Sequence, residues 1–201
     1  MNASTESFAS GARFIRVLMW SVSACLLVLP AVAMLFTDEV SWSHTDFMVF
    51  ALMLSVVCGC LEIVLRRSTS RNYLAGFAVA LLASFLLVWV NLAVGIVGNE
   101  GNPVNLWFYV APGVGVAWSV ATRFTARGMA QAMIAAAIVQ AIVAIVILTI
   151  SKAHTPIITG IFVLLWLSSA QLFRSARKQA AGNSDYTPSS PPNDQLDSDD
   201  R

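Results

Sequence analysis

Few side chains in this sequence could do chemistry, and most of them lie inside apolar runs. Glu62, Asn91 and Gln140 are polar groups inside such runs, Gln140 near the middle of its run and Glu62 near the end of its own. An ionisable or amide group is costly in hydrocarbon, so each marks a proton site, a substrate site or a helix contact. Glu62 has Arg66 four positions on, and an i, i+4 ion pair at the membrane surface accounts for it before a proton-binding role does. Gln140 falls in the series Gly128, Ala132, Ala136, Gln140, Ala144, a stripe of small residues of the kind that packs helix on helix. Asn99, Glu100, Asn102 and Asn105 offer oxygens close together, but calcium takes roughly six to eight oxygen ligands and one carboxylate is thin for that. Turn and capping chemistry explains these four better. His44 with Asp46, and His154, fall in gaps that share one side of a membrane, the makings of an external metal site at most. Cys25, Cys58 and Cys60 all sit in apolar runs, and Cys58 and Cys60 project about 200° apart on a helix. They read as small packing residues rather than a disulfide or zinc framework. No nucleophile, base and orienting group fall together and no phosphate-cradling loop appears. No enzymatic activity, cofactor or resident metal is expected.

The elements that carry these residues follow from composition. Hydrophobic types make up 57% of the 201 residues and charged types 11%, with a mean hydropathy of +0.72. A soluble chain has about 45–50% and about 25%. Too few polar groups remain to clothe a water-soluble surface, which excludes a soluble enzyme, a nucleic-acid binder and a disordered regulator. Six apolar stretches cover residues 17–36, 47–65, 73–97, 106–122, 129–150 and 157–173. Each is near the length that crosses roughly 30 Å of hydrocarbon as a helix. None alternates with period two, and backbone amides in lipid must be satisfied within the segment. The fold class is therefore all-α: a polytopic membrane protein, a bundle of six transmembrane helices over 17–173. Its first partner is the lipid bilayer.

Charge sets the orientation. Arg13 and Arg16, then Arg66, Arg67 and Arg71, then Arg123 and Arg127, then Arg174, Arg177, Lys178 and Arg201 occupy alternate gaps. The other gaps hold Lys152 alone, with Asp38, Glu39, Asp46 and Glu100. The positive-inside rule puts both termini in the cytoplasm, which an even number of spans requires. Residues 1–16 form a short cytoplasmic N-terminus and 174–201 a cytoplasmic tail. The tail is rich in Ser, Pro, Asn and Asp from Gly182 on and reads as largely disordered, with the last helix carried a little past the membrane over 174–181. The first span has a rival reading as a signal peptide cut near Ala31-Val32-Ala33, but Met34-Leu35-Phe36 extend the apolar run to spanning length.

The hairpin between the third and fourth spans is the most distinctive stretch. Asn91, Gly95 and Gly98 stand at i, i+4 and i+7, a small or polar face that would let a neighbouring helix come close. Gly98 to Asn105, with Asn99, Glu100, Asn102 and Pro103 between, reads as a tight external turn. Trp107 and Tyr109 suit the outer interface. Pro112 frees the carbonyl of Phe108, so the Asn91 amide is expected to donate near it and pin the hairpin; Asn91→Leu should then weaken the fold. Pro112-Gly113-Val114-Gly115 could mark a broken helix of transporter type, but no other span has a matching interruption.

The string W-x-N-L-A-V-G-I-x-G-x-E-x-N-P-x-N-L, from Trp89 to Leu106, resembles the signature of a family of small bacterial integral membrane proteins of unknown function. Arg123-Phe124-Thr125-Ala126-Arg127-Gly128-Met129-Ala130 fits the same likeness, which covers about residues 73–175. Where that pattern has Asp before Asn-Pro this chain has Gly101, leaving Glu100 the sole carboxylate of the turn. The resemblance implies a bacterial cytoplasmic (inner) membrane and no particular activity. The expected role is structural, interacting or accessory, with a second copy or another membrane protein as partner class. The alternative is a small transporter or channel using the third and fourth helices. A polar cavity reaching Asn91, Pro112 and Gln140 would favour the alternative; a dry, packed bundle would favour the first.

Overall fold

A computed structural model describes residues 3–151 and 156–184. They form α1 (Ala3–Ala33), α2 (His44–Arg67), α3 (Arg71–Ala93), a 3-10 segment (Pro103–Tyr109) running into α4 (Val110–Ala121), α5 (Ala126–Ser151) and α6 (Pro156–Ser184). There is no strand among the described residues. Among the described residues six helical stretches are long and apolar enough to cross a membrane, the fourth made of the 3-10 segment and α4 together. Lys152 and His154, like the tail beyond Ser184, lie outside the described residues.

Local chemistry sets the helix starts. Ser43 and Asp46 form a reciprocal capping box on α2: the Ser43 amide donates to the Asp46 carboxylate at 2.7 Å and the Asp46 amide to Ser43 Oγ at 3.3 Å. Each satisfies a donor that the first turn leaves open. Ser70 Oγ accepts from the Tyr73 amide to start α3, and Thr125 Oγ1 accepts from the Gly128 amide to start α5.

The helices neighbour one another in the order α1, α2, α3, α6, α5, α4. The last four form the core, and small residues let them close up. A Cβ on Gly76 would lie 3.2 Å from Leu172 Cβ and 3.3 Å from the Phe173 ring, and at this crossing the buried Ser169 Oγ donates to the Gly76 carbonyl at 2.7 Å. Gly115 of α4 faces Met133 and Ala136 of α5 in the same way. Gly128, Ala132, Ala136 and Gln140 are all buried. Trp166 and Phe173 fill the space these small residues leave.

By contrast, α1 touches chiefly α2. Among the described residues two polar side-chain contacts tie it there. Arg16 donates to Glu62 at 2.8 Å, and the Ser23 hydroxyl lies 3.0 Å from Cys58 Sγ. Much of the rest of α1, including Phe14, Val17, Trp20 and Leu29, points outward.

The third and fourth spans differ from expectation around the turn that joins them. α3 stops at Ala93 rather than continuing to Val97, because Gly95 and Gly98 take left-handed backbone angles, φ +71° and +74°. A helix cannot pass through them. Asn91, Gly95 and Gly98 therefore do not share a helix face. Val94 to Val97 read as helical because they are apolar, yet Ile96 and Val97 are buried for another reason. They leave the helix and plug the outer end of the core against Leu87, Phe108, Val143, Ile147 and Phe162. On the far side of the turn, Pro112 falls in the first turn of α4. No intrahelical donor is needed at that place, so it does not break a helix.

Candidate functional site

The outer turn is organised around one side chain. Asn105 is 3% exposed, and its Oδ1 accepts from the amides of Ile96 at 3.1 Å and Val97 at 2.8 Å. Its Nδ2 donates to the carbonyls of Asn99 at 2.8 Å and Val97 at 3.3 Å. One carboxamide thus satisfies four backbone groups where the chain has neither helix nor strand to do so. Gly95 permits the fold-back: any Cβ there would collide with the Asn99 backbone and the Asn105 amide. Asn102 caps the 3-10 segment by accepting from the Val104 amide at 3.0 Å, with Pro103 at its first position. The Asn102 and Asn105 oxygens are occupied by these bonds rather than gathered on a cation. Among the described residues no group of three or more His, Cys, Asp or Glu side chains stands close enough to hold a metal.

This pinned turn carries Glu100 at its exposed apex, and Glu100 borders a cavity of about 500 Å³ between the turn, α2 and α3. Asp46 lies on its rim, and Trp42, Phe50 and Trp89 line it. The Trp42 and Phe50 rings meet edge to face at 5.3 Å between centroids. Phe50 and Trp89 are 5.5 Å apart, and Phe85 stacks behind Trp89 at 6.2 Å. Aromatic faces beside two carboxylates attract cationic groups. Among the described residues neither Asp46 nor Glu100 has a basic partner. Sequence reading singled out Glu100 but missed its meeting with Trp42, Phe50 and Trp89. The turn that closes the cavity depends on Asn105, and no local pattern announces that.

The amides of Asn91 and Gln140 are sealed rather than connected. Asn91 is 2% exposed and Gln140 is fully buried, and neither amide has a hydrogen-bond partner among the described residues. The expected bond from Asn91 to a carbonyl near Pro112 is therefore not made. Asn91 sits two residues from the end of α3, not six, because the helix ends at Ala93. Glu62 is held by two cations: Arg66 donates at 2.6 Å, as the i, i+4 spacing implies, and Arg16 at 2.8 Å from α1. The second partner was not legible, because 46 residues separate it from Glu62. His44 stands exposed at the start of α2. Cys25 is exposed, Cys58 is buried against Ser23, and all three cysteines are free thiols.

At the opposite, basic end, α4 closes with an unusual turn. The Phe124 amide donates to the Ser119 carbonyl at 2.9 Å and the Arg123 amide to Val120 at 3.0 Å. This paired 6→1 and 5→2 pattern is a Schellman motif, whose left-handed position is usually glycine. Here Arg123 occupies it at φ +52°, and Phe124 follows at φ +55°. The Tyr73 hydroxyl of α3 donates to the Phe124 carbonyl at 2.6 Å and holds the turn. Gly128 is required beside it, since a Cβ there would run into the Thr122 side chain.

Comparison with family models, with curated proteins and with solved structures finds no match to this chain.

Proposed function

We propose that this chain is a six-span protein of the bacterial cytoplasmic membrane, with both termini in the cytoplasm and an interaction or accessory role. It belongs, on this reading, with the small bacterial membrane proteins that its Trp89–Leu106 string resembles. The observation that carries the role is the burial of Gln140 and Asn91. A conduction path would need polar side chains in contact with water or with a solute at mid-membrane. Gln140, near the middle of α5, is packed away instead, as is Asn91 near the end of α3. The recognising face is then the outer turn with its acidic, aromatic-lined cavity. Trp42, Trp89, Asp46 and Glu100 suit a positively charged group on a ligand or on a neighbouring membrane protein.

A thiol-accessibility experiment separates this from the transporter alternative. With Cys25, Cys58 and Cys60 replaced, single Asn91→Cys, Gln140→Cys and Glu100→Cys variants are treated in membranes with a water-soluble maleimide. Glu100→Cys should label rapidly, and the two buried positions should resist. Labelling of Gln140→Cys as fast as Glu100→Cys would mean a water-filled path and would favour transport. Reporter fusions at the two chain ends should both read out on the cytoplasmic side; opposite sides would reject the orientation.

A further inference from the structure

We infer that the cavity at the basic end of the bundle is a binding site for an anionic phospholipid, with Arg67 and Arg123 gripping its phosphate. The cavity has a volume of about 600 Å³ and lies between α2, α3 and the turn that joins α4 to α5. Its chemistry is divided. Arg67, Arg123 and Ser68 supply the polar part, while Ile63, Val64 and Phe77 supply an apolar wall. Ile63 is 53% exposed, so that wall continues onto the outward flank of α2, where an acyl chain can lie.

Three observations converge on a phosphodiester. First, among the described residues neither arginine has a carboxylate partner, whereas nearby Arg66 and Arg16 are both committed to Glu62. Guanidinium groups left free beside an apolar wall match a phosphate on a lipid chain in charge and in hydrogen-bonding geometry. Second, the backbone at Arg123 is strained to put a long cationic side chain where glycine would make the same turn without cost. Strain of this kind gathers at ligand sites. Third, basic pockets between helices at a membrane surface are a recurrent answer to anionic headgroups. A free phosphate ion would gain nothing from Ile63, Val64 and Phe77, so the lipid is the better fit.

The strain supplies a clean test. Arg123→Gly removes the guanidinium and relieves the left-handed angle, so the fold should be kept or strengthened while binding falls. The purified full chain in nanodiscs is titrated with phosphatidylglycerol against a phosphatidylcholine background of the same acyl chains, and bound lipid is counted by native mass spectrometry. Arg123→Gly and Arg67→Gln should each weaken retention several-fold, and the double variant by about tenfold or more. Arg174→Gln with Arg177→Gln, on α6 and outside the cavity, should change it less than about twofold. Inorganic phosphate at equal concentration should not displace the lipid. Equal retention by wild type and the double variant would overturn the proposal. So would equal loss in the α6 control, or displacement by inorganic phosphate, which would indicate a simple anion site.

Discussion

The Asn105 side-chain oxygen accepts the Val97 amide at 2.8 Å, eight positions back in the chain, and draws the outer turn into the core. Without it the buried amides of Ile96 and Val97 and the Val97 carbonyl would lose the partner it supplies, while the Asn99 carbonyl would keep the Asn102 amide. A buried backbone group left unsatisfied costs about 1–3 kcal/mol. Asn105→Ala should therefore lower stability to denaturing detergent by about 2–4 kcal/mol. Asn99→Ala, which removes only an exposed side chain, should change it by less than about 0.5 kcal/mol. Equal effects of the two would show that the turn is not organised by Asn105.

Glycine substitutions should sort by position rather than by composition. Gly95→Ala places a methyl against the Asn99 backbone at a left-handed angle, and a loss of about 2 kcal/mol or more is expected. Gly59 lies inside α2 with nothing within 4 Å of its missing Cβ. Gly59→Ala should be neutral or stabilise by up to about 1 kcal/mol. Detergent-unfolding midpoints of the two variants, taken side by side, check this.

Asn91 has no partner to lose, which reverses the outcome that a pinning bond would have given. Replacing its buried amide by a side chain of similar volume removes a desolvated polar group. Asn91→Leu should leave stability unchanged or raise it by about 1 kcal/mol. A clear fall in the melting temperature would mean that the amide has a partner after all.

The seat of α1 can be tested by cross-linking. Ser23 Oγ and Cys58 Sγ are 3.0 Å apart, so Ser23→Cys should form a disulfide with Cys58 on mild oxidation. Mass spectrometry of the digested protein would find the joined peptides. Adding Glu62→Ala, which removes the acceptor for Arg16, should lower the yield, because one of the polar side-chain ties between the two helices is then lost. An undiminished yield would mean that lipid packing alone holds α1 in place.

The helical class and the six spans were legible because hydropathy measures the exchange of water for hydrocarbon, and each span is long enough to show it. The end of α3 was not. Ile96 and Val97 are as apolar as a helix interior, and hydropathy reports that they are buried, not the backbone that buries them. Gly95 and Gly98 held the signal, but a small residue serves a helix contact as readily as a left-handed turn. The Glu62–Arg66 pair could be read because it is local, and Arg16 could not because it is distant. The outer cavity has the same character: Trp42, Trp89 and Glu100 meet only when α2, α3 and the turn are in place. The arginine at the Schellman position was visible as part of a motif, while its backbone angle and the cavity it borders were not.

The plug formed by Ile96 and Val97 has a bearing on biogenesis. Its seat is built partly from Val143, Ile147 and Phe162, which leave the ribosome well after the turn itself. A nascent chain with four segments inserted would hold these two side chains with nowhere to go. The end of the bundle that carries Asp46 and Glu100 thus acquires its finished shape only once the fifth and sixth segments have docked, so a product truncated before them would leave the turn unpacked.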